Sequence, residues 1–366
     1  MLAGAFRLRL PLPWPGVPHC NAWAVTSEDG FVLFDTGLHE ANSLLDLERA
    51  LHMCGLRLED ATLVVCTHAH ADHYGQAGSV VDRTGCELWM HPRHGHTTRL
   101  LSHREQEIAR RKEVARESGA PEEELRVYFE HLDGLQLGVS RLVAPARELR
   151  DGMSVRTALG DWQVYETPGH APSHVCFFQP ERRLLISGDH LLGRISLHFD
   201  YGYSPDPIGE FLSSLDVVEK LRARLCLPGH GRTFTDVAAH IEGNRTLVAE
   251  RLSGALATIA ERPKSTYEVM RELYHCELSD FAGAFALFET LAMLDHLAAT
   301  GRARRVDGDS HAATAATDPP DATAVTAATD ATAATAATDA PDAPDATATA
   351  GGGEQRAREP RRWLAN

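Results

Sequence analysis

Four side chains of metal-binding type fall within six residues of the sequence: His68, His70, Asp72 and His73. They directly follow the run 61–66, which is short, apolar and partly β-branched, as expected of a buried strand. Residues 74–81 then predict a helix. The four side chains therefore lie in a turn between a strand and a helix, where an α/β sheet usually places its functional site.

The spacing within this turn favours two metal ions over one. The alternate side chains His68 and His70 can face one point, and Asp72 and His73 can face a second point close by. Histidine and aspartate are ready ligands for divalent ions, and two ions sharing one pocket are a known hydrolytic arrangement. The alternative is a polar loop without an ion, which does not explain why four such groups follow one buried strand.

Later strands end in turns of the same kind. The predicted strands 162–166, 183–186 and 224–227 are each followed by a small turn that carries one candidate ligand, which is His170, Asp189 and His230 respectively. Glycine in each turn lets the backbone approach a crowded cluster. An earlier strand, 30–34, ends at Asp35, which either caps its turn or serves the site.

Together these motifs resemble the metallo-β-lactamase superfamily. They are Asp-Thr-Gly at 35–37, H-x-H-x-D-H at 68–73, Gly-His at 169–170, Gly-Asp at 188–189 and Pro-Gly-His at 228–230, in the family's order. The resemblance covers about residues 21–231. It implies an α/β fold of the αββα type, in which two mixed sheets lie face to face between outer helices.

The resemblance also implies a ligand set. One metal would be held by His68, His70 and His170, and the other by Asp72, His73 and His230. Asp189 would bridge both metals, and Asp35 would orient a ligand from behind.

Some residues near the motifs have no ligand position in this scheme. After His170 the chain reads Ala-Pro-Ser-His, where relatives often have Ser-Pro-Gly-His, so we interpret His174, and likewise His190, as residues that support the ligands or pack behind them. The loop 195–203 could reach over the metals, and it supplies His198 and Tyr201 as candidate substrate contacts unless it is simply a packed aromatic loop. We interpret the histidine cluster at 91–103 as surface rather than as a second metal site.

The predicted chemistry is metal-dependent hydrolysis. Two divalent ions would share a water molecule, ionise it near neutral pH and present a bridging hydroxide to the substrate. Asp189 would set the spacing of the ions, and Asp72 could exchange a proton with the attacking water, so both are assigned as catalytic residues. Zinc suits this donor set best, and manganese or iron also fit it. Members of the family with diiron redox chemistry tend to have glutamate in place of His70, which favours hydrolysis here.

The sequence predicts three regions. Residues 1–235 form the catalytic domain, with an Arg- and Glu-rich helical insertion at about 97–135 that could cover the mouth of the site. Residues 236–306 carry three helical patterns and a short basic end, and they resemble the winged-helix-like appendage of many hydrolases of this superfamily. Residues 307–366 are rich in Ala, Thr and Asp without a periodic apolar face, which predicts a disordered tail.

Composition narrows the class of protein. Hydrophobic residues make up 43% and charged residues 24%, as in ordinary globular proteins, and no apolar run reaches the ~20 residues of a membrane span. The N-terminal residues lack the pattern of a signal peptide, and the seven cysteines are scattered, so we expect a cytoplasmic protein without disulfides. The net charge is −15, and the acidic body of the chain argues mildly against a nucleic-acid partner, although a local basic groove would still allow one.

The ligands define the type of reaction and leave the substrate open. The arrangement resembles glyoxalase II-like thioester hydrolases, so the first hypothesis is a hydrolase of a small-molecule acyl thioester or ester. The second is an endoribonuclease or phosphodiesterase whose C-terminal module grips RNA, and a lactonase would use the same ions. A non-enzymatic metal-dependent binding module is less favoured because the ligand set is complete. The C-terminal module could instead serve as a substrate lid or as a contact in a homodimer.

Overall fold

Two β-sheets lie face to face in the computed structural model, which describes residues 3–280, 282–306 and 360–366. The first sheet has six strands in chain order, with antiparallel pairing from β1 to β3 and parallel pairing from β3 to β6. Its strands are β1 (Ala5–Trp14), β2 (Val17–Ser27), β3 (Gly30–Phe34), β4 (Ala61–Val65), β5 (Glu87–Met90) and β6 (Arg147–Glu148).

The second sheet has five strands in the order β11-β10-β9-β8-β7, and only β10 and β11 run parallel. These strands are β7 (Ser154–Thr157), β8 (Gly160–Glu166), β9 (Val175–Gln179), β10 (Leu184–Gly188) and β11 (Leu225–Pro228). Both sheets are therefore mixed, as the sequence predicted.

Side chains at alternate strand positions fill the space between the sheets. The ring of Phe34 lies 5.8 Å from Trp162 and 5.1 Å from Phe177, and all three side chains are buried. In β4, Val65 faces this core while Val64 packs against the outer helices. The strand that leads into the histidine motif is thus buried on both faces, which fixes the start of that turn.

Three helices cover the outer face of the first sheet: α1 (Ser43–Met53), α2 (Ala71–Tyr74) and α3 (Ala77–Thr84). The helical insertion follows as α4 (Gly95–Ser102), α5 (Arg104–Glu117) and α6 (Glu122–Asp133). On the other side, α7 (Pro207–Leu221) and α8 (Val237–Thr258) cover the second sheet. The predicted αββα sandwich is confirmed.

Two further helices, α9 (Thr266–Tyr274) and α10 (Gly283–Ala299), pack against the insertion. Leu125 and Leu132 of α6 share one apolar cluster with Met270 of α9 and Leu287 of α10. The insertion is therefore anchored to the C-terminal helices through a common core. Among the described residues, no helix is both long and apolar enough to cross a membrane.

A small third sheet corrects part of the predicted tail. Its strands are β12 (Lys264–Ser265), β13 (Ala303–Val306) and β14 (Arg362–Ala365), in the antiparallel order β12-β14-β13. The region 307–366 was predicted to be disordered, but Trp363 of β14 is buried against the second sheet's helices and its indole N–H donates to Thr266 Oγ1 at 3.2 Å. The rest of that prediction, 307–359, lies outside the described residues.

Candidate metal centre

The predicted ligands come from four turns at strand ends and meet at one edge of the sandwich. The turn after β4 brings His68 Nε2 to 3.0 Å from His70 Nδ1, and the turn after β8 brings His170 Nε2 to 3.0 Å from the same atom. These three nitrogens form one group with the geometry to hold a metal ion. His70 thus faces the group with Nδ1, whereas its two neighbours use Nε2.

A second group forms from Asp72, His73 and His230. Asp72 Oδ2 lies 3.1 Å from His230 Nε2 and 3.5 Å from His73 Nε2. The Asp189 carboxylate reaches both groups, since it lies 3.3 Å from His73 Nε2, 3.2 Å from His230 Nε2 and 3.7 Å from His170 Nε2. The structure therefore brings all seven predicted ligands together, with Asp189 at the shared position.

Buried atoms at this site fit a bound cation. His73 Nε2 and Asp189 Oδ1 are both buried and lie 3.3 Å apart, yet neither forms a hydrogen bond of good geometry with any described residue. Leaving a buried polar group unsatisfied costs about 1–3 kcal/mol, so two adjacent cases point to a missing partner. Five imidazoles and two carboxylates are a donor set that divalent zinc, manganese or iron accepts. The residues present thus fit the metals typical of this type of site.

The cluster is strongly charged without metal. Although burial opposes it, attraction to His73 and His230 lowers the pKa of Asp72 to about 2. Burial also opposes protonation of His230, yet Asp189 and Asp72 raise the pKa of His230 to about 10. The metal-free cluster therefore holds protons on ligand histidines at neutral pH, and a metal ion must displace them.

Asp35 supports the centre from behind, as its motif predicted. Its carboxylate accepts from the Thr67 backbone N–H at 2.7 Å and from Thr67 Oγ1 at 2.9 Å, and lies 2.9 Å from His73 Nδ1. These contacts orient His73 so that Nε2 faces the second group. Asp35 has φ 63°, a left-handed conformation that aspartate tolerates better than most residues.

Glycine is required where the turns crowd together. A Cβ added at Gly229 would collide with Asp189 Oδ1, and one at Gly188 would lie 2.7 Å from His174 Nε2. The Gly-Asp and Pro-Gly-His motifs therefore contain glycine because the ligands and the side chains that support them occupy the space that a Cβ would need.

The two flanking histidines have distinct surroundings. His174 Nε2 accepts from the Asp189 backbone N–H at 3.1 Å, and its Nδ1 lies 2.8 Å from Thr167 Oγ1, so His174 positions the shared carboxylate. His190 packs edge-on against Phe211 at 5.0 Å, and burial lowers its pKa to about 3. His190 is thus a neutral packing residue.

Sequence reasoning missed Asp200 and His96. Asp200 Oδ2 lies 2.9 Å from His70 Nε2 and 2.7 Å from His96 Nδ1, while His96 Nε2 lies 2.8 Å from Ser173 Oγ. His96 belongs to the cluster at 91–103 that we interpreted as surface, yet it is buried beside the centre. No local motif marks either residue. Asp200 does lie in the loop 195–203, which the sequence singles out for its position after Asp189. In the structure this loop returns to the centre, where the Asp200 N–H donates to the His170 carbonyl at 3.2 Å.

The two predicted substrate contacts lie in different places. The ring of His198 lies 5.4 Å from His170 and 5.6 Å from His70, and also 5.3 Å from Phe285 of α10. Tyr201 instead stacks on Phe288 at 6.2 Å, away from the ligand rings it was expected to approach. His198 is therefore the better candidate, and Tyr201 joins the packing of α10.

The chain belongs to the metallo-beta-lactamase superfamily. The model of that superfamily matches residues 15–230, and the model of a metallo-beta-lactamase-like C-terminal domain matches residues 252–314. The geometry above thus occurs in a family of metallo-hydrolases, and the resemblance noted in the sequence is confirmed.

Individual relatives agree with this assignment. The chain is 24% identical over 257 residues to the probable metallo-hydrolase YqjP of Bacillus subtilis, covering 67% of this chain and 78% of that protein. It is 28% identical over 230 residues to the acyl-coenzyme A thioesterase MBLAC2 of Bos taurus, covering 58% and 74% respectively. A crystal structure of a metallo-beta-lactamase family protein of Thermus thermophilus aligns with TM-score 0.71 and 29% identity, over 83% of this chain and 96% of that one.

Proposed function

We propose that this protein is a metal-dependent hydrolase of small-molecule acyl thioesters or esters that uses two divalent ions, most suitably zinc. The main support is the position of the Asp189 carboxylate, within 3.7 Å of nitrogens from both ligand groups. A carboxylate shared in this way suits a pair of ions rather than a single one. A relative named as an acyl-coenzyme A thioesterase supports a thioester over the other substrates that such ions can hydrolyse.

The residues divide the work of the reaction. His68, His70 and His170 would hold one ion, and Asp72, His73 and His230 the other. Bound divalent ions supply Lewis acidity and lower the pKa of a coordinated water. In hydrolysis a bond forms between the water oxygen and the acyl carbon, the C–S or C–O bond breaks, and the leaving group takes up a proton. Asp72, whose Oδ2 lies 3.1 Å from His230 Nε2 in the second ligand group, would hold or return that proton.

An aromatic side chain, Phe285, lies next to the candidate metal centre. Phe285 is half exposed, and its ring contacts His198, which in turn contacts the His170 and His70 rings. Phe285 belongs to the C-terminal module, so this module would contribute to the substrate pocket. An aromatic and an imidazole ring beside the ligands suit the apolar part of an acyl group.

The RNA hypothesis has weaker support. Among the basic residues of the C-terminal module, the Lys264 ammonium is paired with Glu272 at 2.7 Å and Arg262 with Glu268 at 2.9 Å. These two side chains are therefore poor candidates for phosphate contacts, whereas Arg302, Arg304 and Arg305 form no ion pair with a described residue.

The test combines metal analysis of the purified protein with hydrolysis of a substrate panel. The panel contains acyl thioesters, an aryl ester, a lactone, a β-lactam, a bis-aryl phosphodiester and single-stranded RNA. We expect thioester or ester turnover that is lost in Asp189→Ala and kept in Asp161→Ala, a matched exposed aspartate at the far end of β8. Turnover of RNA or the diester alone would refute the proposal.

A further inference from the structure

Three arginines and a histidine gather beside the metal centre; Arg7, Arg9, His19 and Arg232 are called the cationic cluster below. Arg7 Nη2 lies 3.2 Å from His19 Nε2, and Arg9 Nη2 lies 3.4 Å from His19 Nδ1. Two guanidinium groups thus approach the two nitrogens of one imidazole. Arg232 directly follows Gly231, whose carbonyl accepts from Asn21 Nδ2 at 3.1 Å, and the same Asn21 side chain contacts Arg7.

The cationic cluster is attached to the turn that carries a metal ligand. His230 Nδ1 donates to the His19 carbonyl at 3.0 Å, which leaves His230 Nε2 for the ligand group. Arg7 Nε donates to Asn21 Oδ1 at 2.9 Å, and Asn21 Nδ2 donates to the Pro228 carbonyl at 2.8 Å. The cluster therefore has a fixed position relative to the centre and cannot be treated as a set of independent surface side chains.

No carboxylate neutralises these arginines within the part of the chain that the structure describes. Other arginines of the same molecule do form such pairs, as Arg126 does with Glu123 and Glu130, and Arg245 with Asp216. Cations placed close together repel each other, which destabilises the folded protein unless an anion joins them. The chain as a whole has a net charge of −15, so these arginines create a local positive potential that is opposite in sign to the charge of the chain.

We propose that the cationic cluster binds the anionic part of the leaving thiol of a thioester substrate, either phosphates or carboxylates. The inference rests on the proposed function, since it places the acyl carbon at the metal centre. Guanidinium groups bind phosphate and carboxylate through paired N–H donors, and this geometry favours such anions over neutral thiols. The acyl part would extend towards His198 and Phe285, and the charged thiol part would extend past His230 to the cluster.

The first test compares three thioesters that share one acyl group. Their thiols are coenzyme A, which carries phosphates, glutathione, which carries carboxylates, and N-acetylcysteamine, which is neutral. The variant is Arg9→Gln/Arg232→Gln, because both side chains are exposed and their replacement should not disturb folding. The matched control is Arg49→Gln/Arg156→Gln, two exposed arginines elsewhere.

We expect the ratio of kcat/KM for the charged thioester to that for the neutral one to fall about tenfold in the variant, mainly through KM. The substitution Arg9→Lys/Arg232→Lys should recover only part of that loss, because it restores the charge but not the paired N–H donors of the guanidinium group. If kcat/KM falls for the coenzyme A thioester, the cationic cluster binds phosphates. If kcat/KM falls for the glutathione thioester, the cluster binds carboxylates. An unchanged ratio for both would refute the proposal.

A binding measurement separates this proposal from the proposed function. Calorimetry with the metal-loaded full chain would use coenzyme A lacking its thiol, and separately glutathione with its thiol replaced by methyl. Binding that weakens about tenfold in Arg9→Gln/Arg232→Gln supports the anion site even if no thioester is hydrolysed. Equal binding by variant and control, or binding of a single-stranded RNA instead of either small anion, would overturn the proposal.

Discussion

The substitution Asp200→Asn tests how the centre holds His70. The Asp200 carboxylate lies 2.9 Å from His70 Nε2, on the opposite side of the ring from Nδ1, which faces the ligand group. Although burial opposes ionisation, attraction to His70 and His96 holds the pKa of Asp200 well below its usual range. An anion there fixes the tautomer of His70 and makes Nδ1 a stronger ligand.

The expected effect follows from the loss of that charge. A hydrogen bond to a charged group contributes about 1.5–3 kcal/mol and a neutral one about 1 kcal/mol, so asparagine should forfeit about 1–2 kcal/mol. This corresponds to a metal affinity about tenfold lower. If the two metal ions bind in separate steps, only one step should weaken. Among the predicted ligands, His70 is the one whose side chain lies within hydrogen-bond distance of Asp200.

The assay is stepwise competition for metal against a coloured chelator, with Asp161→Asn as the exposed control. Thermal unfolding of the metal-free proteins would show that Asp200→Asn remains folded. If both binding steps in Asp200→Asn matched those of the unaltered protein, the supporting role of Asp200 would be refuted.

Three further predictions concern the glycine next to Asp189, the release of protons on metal binding, and the contribution of the third sheet to stability. Gly229→Ala should abolish metal retention measured after gel filtration, because the new Cβ would collide with Asp189, whereas Gly95→Ala, with no neighbour closer than 3.5 Å, should retain metal. Metal titration at pH 7 in buffers of different ionisation enthalpy should show proton release, and apparent affinity should rise with pH, because His230 of the metal-free protein has a pKa of about 10 and must lose its proton. A measured heat of metal binding that is the same in all buffers would mean that no proton is released, and it would contradict this prediction. Trp363→Ala should lower the free energy of unfolding in urea by about 3–5 kcal/mol, and a change below 1 kcal/mol would mean that β14 is not part of the core.

The ligand turns could be predicted because each one is local in sequence. A short apolar strand such as β4 must be buried, so the residues that follow it lie at the edge of the sheet, where other strand ends also arrive. Motifs such as Gly188-Asp189 and Gly229-His230 carry both the ligand and the small residue that it requires. Chemistry and backbone geometry are therefore encoded within a few adjacent positions.

The supporting residues could not be predicted in the same way. Asp200 and His96 meet His70 only because a loop and the first turn of α4 converge on it, and neither position has a characteristic neighbour in sequence. Tyr201 looked suitable for substrate because of its position after Asp189, but the fold turns its ring onto Phe288. Such contacts depend on the path of the chain in three dimensions.

The strand β14 was missed for a different reason. Composition is averaged over a region, and the residues before β14 are dominated by Ala, Thr and Asp. The four residues Arg362–Ala365 contain two large apolar side chains, Trp363 and Leu364, of which only Trp363 is fully buried. Their pairing partner β13 lies more than fifty positions earlier in the chain. An apolar pattern of four residues does not predict a strand unless the strand that it pairs with is known.

The proposed reaction depends on a centre in which two divalent ions share Asp189. Its most direct test is metal content by elemental analysis together with acyl-thioester turnover, in the unaltered protein, Asp189→Ala and Asp161→Ala. We expect about two divalent ions per chain and turnover in the unaltered protein and in Asp161→Ala, with both reduced in Asp189→Ala. Fewer than about one ion per chain after metal loading, or full activity in Asp189→Ala, would contradict it.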